Sequence, residues 1–389
     1  MRYNANTPEG TRDRLFAQCR ERRRVQKALT QRFRQRGYAE IITPEVEFYD
    51  LFLQSGSPMP QEAMMKVIDR SGRICVMRPD CTTPIARVAA TKLRDLGFPQ
   101  RLYYDQTIFR SDPADLGGSS EIAQCGVELI GAGGVRADAE VVALAVDALR
   151  DCGLRDFHIE LGHVGFFRSL ARALGLDPER EEEMRQFIES KNFPALDQLL
   201  QPYAGQPAWA ALRRLSRLFG DVSVLDEACR LSGGNGALDY LRAVYQELAS
   251  AGYGEYLRFD LGLVQRIDYY TGLIFRGYAE GYGAAVLSGG RYDNLVGCFG
   301  RPALATGFAV DVDGVSGCLP PEEPAPPDTL IHYAPGCLAA ALAAMDRREA
   351  GRCQLSPFET EEESRALARQ RGMSRLLLIG EDGEKEVVL

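Results

Sequence analysis

The 389-residue sequence predicts an α+β chain: an antiparallel sheet flanked by helices, interrupted by a helical insertion and followed by a small α/β module. Three observations predict it. The stretch from Asp105 to Gly131, DQTIFRSDPADLGGSSEIAQCGVELIG, alternates polar and apolar residues on either side of a Pro, Gly, Asp and Ser cluster, the pattern of a long hairpin. From Gly165 to about Tyr256 the pattern changes to Arg, Glu, Leu and Ala at helical spacing; strand-like patterns resume afterwards, so the helices interrupt one domain. Beyond the acidic, Pro-rich PPEEPAPPD, strand and helix patterns alternate down to Leu389. These boundaries put a core at residues 1–319 with its insertion at about 165–256, a linker at 320–327 and the module at 328–389.

Each element has its own signal. Residues 14 to 37 carry a helical pattern that Gly37 stops, with Val25, Leu29 and Phe33 inward, so the basic run RERRRVQK from Arg20 to Lys27 reads as a solvated face. YAEIITPEVEFYDLFL reads as a strand that becomes extended at Pro44 and would suit a dimer edge. MMKVIDRSGRICVMRPD is a hairpin turned at Ser71-Gly72, and in RPDCTTPIARVAATKLRDLG Thr82 or Thr83 is placed to cap a helix begun at Pro84. Asp80 stands at that strand-to-helix junction, where capping is its ordinary role. After the long hairpin come a helix from about Asp138 to Cys152 and the strand FHIELGHV; after the insertion, LRFDLGLVQRIDYYTGLIFRGYAEG, AAVLSGGRYDNLVGCFG and LATGFAVDVDGVSGCL restore the sheet.

Composition narrows the chemistry. Hydrophobic residues at 45% and charged residues at 26% are ordinary globular values, and a net charge of -8 supplies no global attraction to nucleic acid. Ten cysteines without a C-x-x-C pair and only three histidines make a metal centre unexpected. His158 and His163, five apart on one strand, point to opposite faces and read as structural. No secretory h-region and no run near the roughly 20 apolar residues of a membrane span is present, so a cytoplasmic chain is expected.

On the hairpin, period two turns Gln124, Gly126 and Glu128 one way and Ala123, Cys125, Val127 and Leu129 the other. A polar face in mid-sheet is either solvated or a seat for a small zwitterion, whose carboxylate suits Arg110 and whose ammonium suits Gln124 or Glu128.

Six landmarks, RPDCT, FRSDPADLGG, QCGVELIG, LVQRIDYYTG, SGGRYDNLV and GFAVDVDGV, together with PEGTRD, occur in the order found in histidyl-tRNA synthetases, and the resemblance covers roughly residues 7 to 317. It implies the class II aminoacyl-tRNA synthetase-like fold and a homodimer. By resemblance Asp80 and Gln124 lie at a histidine ammonium, Arg110 at its carboxylate side, and Glu128 and Tyr270 at its imidazole, with Thr82 and Tyr269 also among the histidine-binding residues. The departures matter as much. The hairpin turn reads GGSSE where the synthetases carry Gly-Arg; Gln265 and Arg266 stand where they have arginine then glycine; Asp313, Gly314 and Val315 replace Glu-Arg-Leu. Adenylation needs such cations, and losing one donor to developing charge costs about 100- to 1000-fold in rate.

An amino-acid pocket without adenylation machinery resembles the regulatory subunits of ATP phosphoribosyltransferase. That resemblance implies no catalytic residues, no cofactor and no tRNA. It implies a hetero-octamer with a short catalytic chain, which needs this subunit for activity, and histidine as feedback effector. An active histidyl-tRNA synthetase and another synthetase-like amino-acid-binding enzyme are the alternatives.

Overall fold

Helix α1 (Ala17–Gln35) buries Val25, Leu29, Thr30 and Phe33, one stripe at helical spacing, and ends before Gly37 turns left-handed at φ 81°. A computed structural model describes residues 6–54, 60–111, 119–264, 270–321, 326–349 and 351–389. The chain continues through β1 (Ala39–Glu40), β2 (Val46–Phe48), α2 (Tyr49–Gln54), β3 (Lys66–Ile68), β4 (Ile74–Met77), α3 (Thr82–Ala90), β5 (Gln100–Phe109), β6 (Glu121–Ile130), α4 (Gly134–Asp151) and β7 (Phe157–His163). The insertion holds α5 (Val164–Ala173), α6 (Pro178–Glu189), α7 (Phe193–Leu200), α8 (Pro207–Arg214), the short β8 (Phe219–Gly220), α9 (Ser223–Ser232) and α10 (Gly236–Ser250). Then come β9 (Leu257–Asp260), β10 (Leu273–Ala279), β11 (Leu287–Arg291), β12 (Ala305–Asp311) and α11 (Val312–Cys318).

Two compact units result, Met1–Pro320 and Pro321–Leu389. The first is built on a nine-stranded sheet in the order β1-β5-β6-β12-β11-β10-β7-β9-β8, antiparallel from β5 through β7 and parallel at β1–β5 and β7–β9. Its central hairpin pairs Gln100 with Ile130 at one end and Phe109 with Glu121 at the other; most of its turn lies outside the described residues. One sheet face packs Ala123, Cys125, Val127 and Leu129 into a core shared with α1, α4 and the insertion. The opposite face places Leu102, Tyr104, Ile108 and Ile274 against Ile85, Ala86 and Ala89 of α3. A small sheet, β2-β4-β3, stands apart from the large one.

A buried ion pair ties three of these elements together. Arg291 on β11 grips Asp138 on α4 at 2.6 Å, and the Tyr240 hydroxyl on α10 donates to the same carboxylate at 2.6 Å. Both charges are enclosed, so Asp138 depends on Arg291, which also meets Asp293 at 3.0 Å.

The second unit contains β13 (Thr329–Tyr333), α12 (Leu338–Asp346), β14 (Cys353–Leu355), α13 (Glu361–Gln370), β15 (Arg375–Gly380) and β16 (Gly383–Val388), with sheet order β14-β13-β15-β16. Ile331 joins Ala341 and Ala344 of α12, while its neighbour Leu330 joins Ala368 of α13, so the sheet has a helix on each face.

The structure departs from the sequence reading at three points. Residues 49–54, read as part of a strand, form α2, which buries Phe52 against Met64 and Val76. Helix α3 begins at Thr82, not Pro84, and neither threonine caps it: Asp80 Oδ1 accepts from the Thr83 N–H at 2.7 Å. A carboxylate at a helix N-terminus carries a full charge against the positive end of the dipole, which a hydroxyl does not. On α1 only part of the basic run faces solvent: Arg20, Arg23 and Lys27 are exposed, but Arg22 turns toward Asp313.

Candidate functional site

Glu128 is 2% exposed and is held at both carboxyl oxygens. Thr82, freed from capping, donates its hydroxyl to Oε1 at 2.7 Å, and the Tyr292 hydroxyl donates to Oε2. Glycines provide the room. A Cβ on Gly307, the cross-strand neighbour of Glu128 on β12, would lie 2.1 Å from Oε2. A Cβ on Gly290, the next residue across on β11, would lie 2.8 Å from the Tyr270 ring. The carboxyl and the ring therefore lie over bare backbone on adjacent strands.

Loss of hydration pushes the Glu128 carboxyl up to about 8, with the charge of Asp80 adding to the rise and the Tyr292 and Thr82 hydrogen bonds opposing it. At neutral pH it is mostly protonated. A neutral carboxyl both donates and accepts, as does a tyrosine hydroxyl, and together they complement a ring with two nitrogens. Burial, then the charge of Glu128, also hold Tyr270 above the ordinary phenol range.

The other sequence-predicted residues surround this centre. Burial raises Asp80 as well, against its hydrogen bonds from Thr83 and the charge of Arg110. Arg110 Nε donates to the Pro79 carbonyl at 2.7 Å, which ties it to the same junction. Asp80, Thr82, Arg110, Glu128 and Tyr270 are thus brought together. Gln124 is on the same face four residues along β6, between Gln106 on β5 and Asp311 on β12. Tyr269, Gln265 and Arg266 lie outside the described residues. Tyr292 is the contact that sequence reasoning missed; it had been read only as part of a family signature, although it continues the face of Ser288 and Gly290.

Where the synthetases carry their last arginine, Gly314 is enclosed: a Cβ there would meet Asp311 Oδ2 and the Tyr282 ring, each at 2.9 Å. Asp311 caps α11 by accepting from the N–H groups of Asp313 and Gly314, and Asp313 itself pairs with Arg14 at 2.6 Å. The acid at 313 is thus occupied by Arg14, just before α1, and by Arg22 on that helix. A separate cavity of about 430 Å³ beside β5 is lined by Arg14, Arg22, Arg78 and Asp105, but Arg78 is spent on the carbonyls of Thr43, Pro44 and Thr107.

His163 accepts from the Gly165 N–H at the start of α5, and burial lowers its pKa to about 4. His158 stacks on Tyr278 and meets Glu160 at 3.2 Å. Both have local structural contacts. Among the described residues no cluster of three or more His, Cys, Asp and Glu can hold a metal ion, and no helix is long and apolar enough to cross a membrane.

Residues 10–315 match the family profile described as histidyl-tRNA synthetase, which defines the class: a chain with a synthetase-like core. A Clostridium kluyveri protein named ATP phosphoribosyltransferase regulatory subunit is 41% identical over 95% of this chain and 97% of the relative. A protein of the same name from Clostridium acetobutylicum is 39% identical over 95% of this chain and 94% of the relative. A solved structure from Bacillus halodurans, described as an ATP phosphoribosyltransferase regulatory subunit/histidyl-tRNA synthetase, superposes with a TM-score of 0.87 at 30% identity, covering 98% of this chain and 99% of that one. The chain belongs to the family of ATP phosphoribosyltransferase regulatory subunits.

Proposed function

We propose that this chain is a non-catalytic cytoplasmic subunit that a short ATP phosphoribosyltransferase chain requires for activity, and that it carries histidine feedback on the first step of histidine biosynthesis. The observation that carries the reading is the buried Glu128 carboxyl, fixed by Thr82 and Tyr292 beside Tyr270, in a chain whose last signature has an enclosed glycine, Gly314, in place of the arginine. The first part suits an imidazole; the second removes a cation that adenylation uses. Histidine binds through Asp80, Thr82, Arg110, Gln124, Glu128, Tyr269 and Tyr270, and the subunit needs no cofactor, metal or tRNA.

The chain self-associates as a homodimer within a hetero-octamer. Support comes from β2, β4 and β3, where Val46 faces Met77, and Phe48, Cys75 and Val67 form a second row on the same face. Val46, Phe48 and Val67 are exposed apolar residues in that face, and such a patch marks an interaction surface.

Reconstitution tests the reading. The purified chain should co-elute with the short catalytic chain, raise its turnover, and confer inhibition by histidine. It should not exchange pyrophosphate into ATP in the presence of histidine. A catalytic chain that is fully active alone and indifferent to this protein overturns the proposal, as does exchange at the rate of a synthetase.

A further inference from the structure

The face that carries Glu128 continues across the sheet in two rows. In the first, Glu128 is followed by Gly307, Gly290 and Ile274; in the second, two residues along each strand, Gly126 is followed by Ala309, Ser288, Arg276 and Glu160. Side chains in both rows project to the same side. Ala309 and Ser288 are too small to fill the space above them, and both are half-buried, as is Arg276. Arg276 stands at the far end of that low strip, with the Glu128 carboxyl at the near end.

Among the described residues Arg276 forms no hydrogen bond and no ion pair; its cross-strand neighbour Glu160 is bonded to His158, and Asp260 accepts from the Gly262 N–H. A half-buried guanidinium with five donors and no fixed acceptor leaves those donors open to a ligand that enters the strip. Tyr270, whose ring covers Gly290 between the two ends, senses the charges of both Arg276 and Arg110. Strand spacing puts the Cα atoms of Glu128 and Arg276 about 16 Å apart, and the two side chains reaching inward leave a gap the length of a small amino acid.

We infer that Arg276 receives the α-carboxylate of the amino acid whose side chain meets Glu128 and Tyr270. The inference rests on the histidine reading above and adds to it the residue that separates an amino acid from its decarboxylated amine. It also supplies a cation in a chain that has the neutral Gln265 where the synthetases carry arginine. A guanidinium matches a carboxylate with two parallel hydrogen bonds, so the pairing is selective as well as attractive.

Calorimetry on the assembled complex with the short catalytic chain tests this, with L-histidine and histamine as probes. The parent should prefer histidine by about 10- to 100-fold, the worth of a charge-assisted pair. Arg276→Gln should weaken histidine by that factor and leave histamine unchanged. Ser288→Asp, which sets a fixed negative charge directly across from Arg276, should weaken histidine while sparing or strengthening histamine, and it keeps the test alive if Arg276→Gln does not fold. A preference for histidine that survives either folded variant overturns the inference and leaves the histidine reading standing, and so does an equal loss of both ligands. A parent complex that binds no histidine overturns both.

Discussion

Replacing Glu128 by glutamine should change the sign of its effect on stability across the pH range. The folded protein holds this carboxyl at about 8 against an ordinary value of 4.5. Between those values the folded state keeps a proton that the unfolded chain has released, so stability falls as pH rises. The contribution of the neutral form is fully present below 4.5 and lost once pH passes about 8. The interval spans roughly 3.5 pH units at about 1.4 kcal/mol each, so the titration is worth on the order of 5 kcal/mol. The group is 2% exposed, and solvent screening does not reduce that figure. Glutamine cannot ionise. Its amide nitrogen faces a hydroxyl that must turn to accept, at a cost of about 1 kcal/mol. Glu128→Gln should therefore be slightly less stable than the parent at pH 5 and a few kcal/mol more stable at pH 9. Urea unfolding of both proteins from pH 5 to 9 reads the difference, in which titrations common to both cancel. Asp80 is close enough to couple, so the curve belongs to a pair and can be broad. A difference that stays flat over this range refutes the account of Glu128 as a buried neutral acid.

Asp138→Asn should lower stability by about 1 to 3 kcal/mol, because it leaves the enclosed Arg291 with Asp293 as its remaining carboxylate partner; a melting temperature equal to the parent's would contradict the buried pair. Gly307→Ala should destabilise the sheet and abolish histidine binding together, since its Cβ would meet both Glu128 Oε2 at 2.1 Å and the Val127 carbonyl at 2.3 Å; a stable variant that binds histidine normally counts against the glycine floor. In calorimetry on the complex, Glu128→Gln combined with Tyr270→Phe should weaken histidine binding more than either alone, each removing a partner worth about 1 to 3 kcal/mol. Parental affinity in both variants would place the effector elsewhere.

Much of the fold was legible because its signals are local. The stripe of Val25, Leu29 and Phe33 specifies α1, and alternation from Gln100 to Ile130 specifies a hairpin whose two faces are sorted by period two. Helix α2 was not legible, since a six-residue apolar segment cannot display a helical period; what fixes it is Phe52 packing on Met64 and Val76, which come later in the chain. Strand order was hidden for a related reason. β12 enters between β6 and β11, so each neighbour of Gly307 arrives from a different part of the chain.

The site divides along the same line between residue type and residue state. Glu128 and Gln124 were identifiable as facing residues from alternation alone, but the protonation of Glu128 follows from burial, and its position is fixed by Thr82 and Tyr292, which lie 46 and 164 positions away in the sequence. Asp80 shows the converse: its capping role was legible, and its raised pKa follows from burial that only the folded sheet produces. AAVLSGGRYDNLVGCFG was legible as sheet, and Ser288, Gly289, Gly290 and Arg291 are all strand, but only the fold puts Gly290 beneath the Tyr270 ring. Small residues at every second position of a central strand leave one face of it unfilled by its own side chains. Across β12 and β11 that face is Gly307, Ala309, Gly290 and Ser288, bounded by the Glu128 carboxyl at one end and, at the other, by the Arg276 guanidinium, which has no ion pair among the described residues; that polarity is what the proposed lengthwise seating of an amino acid requires.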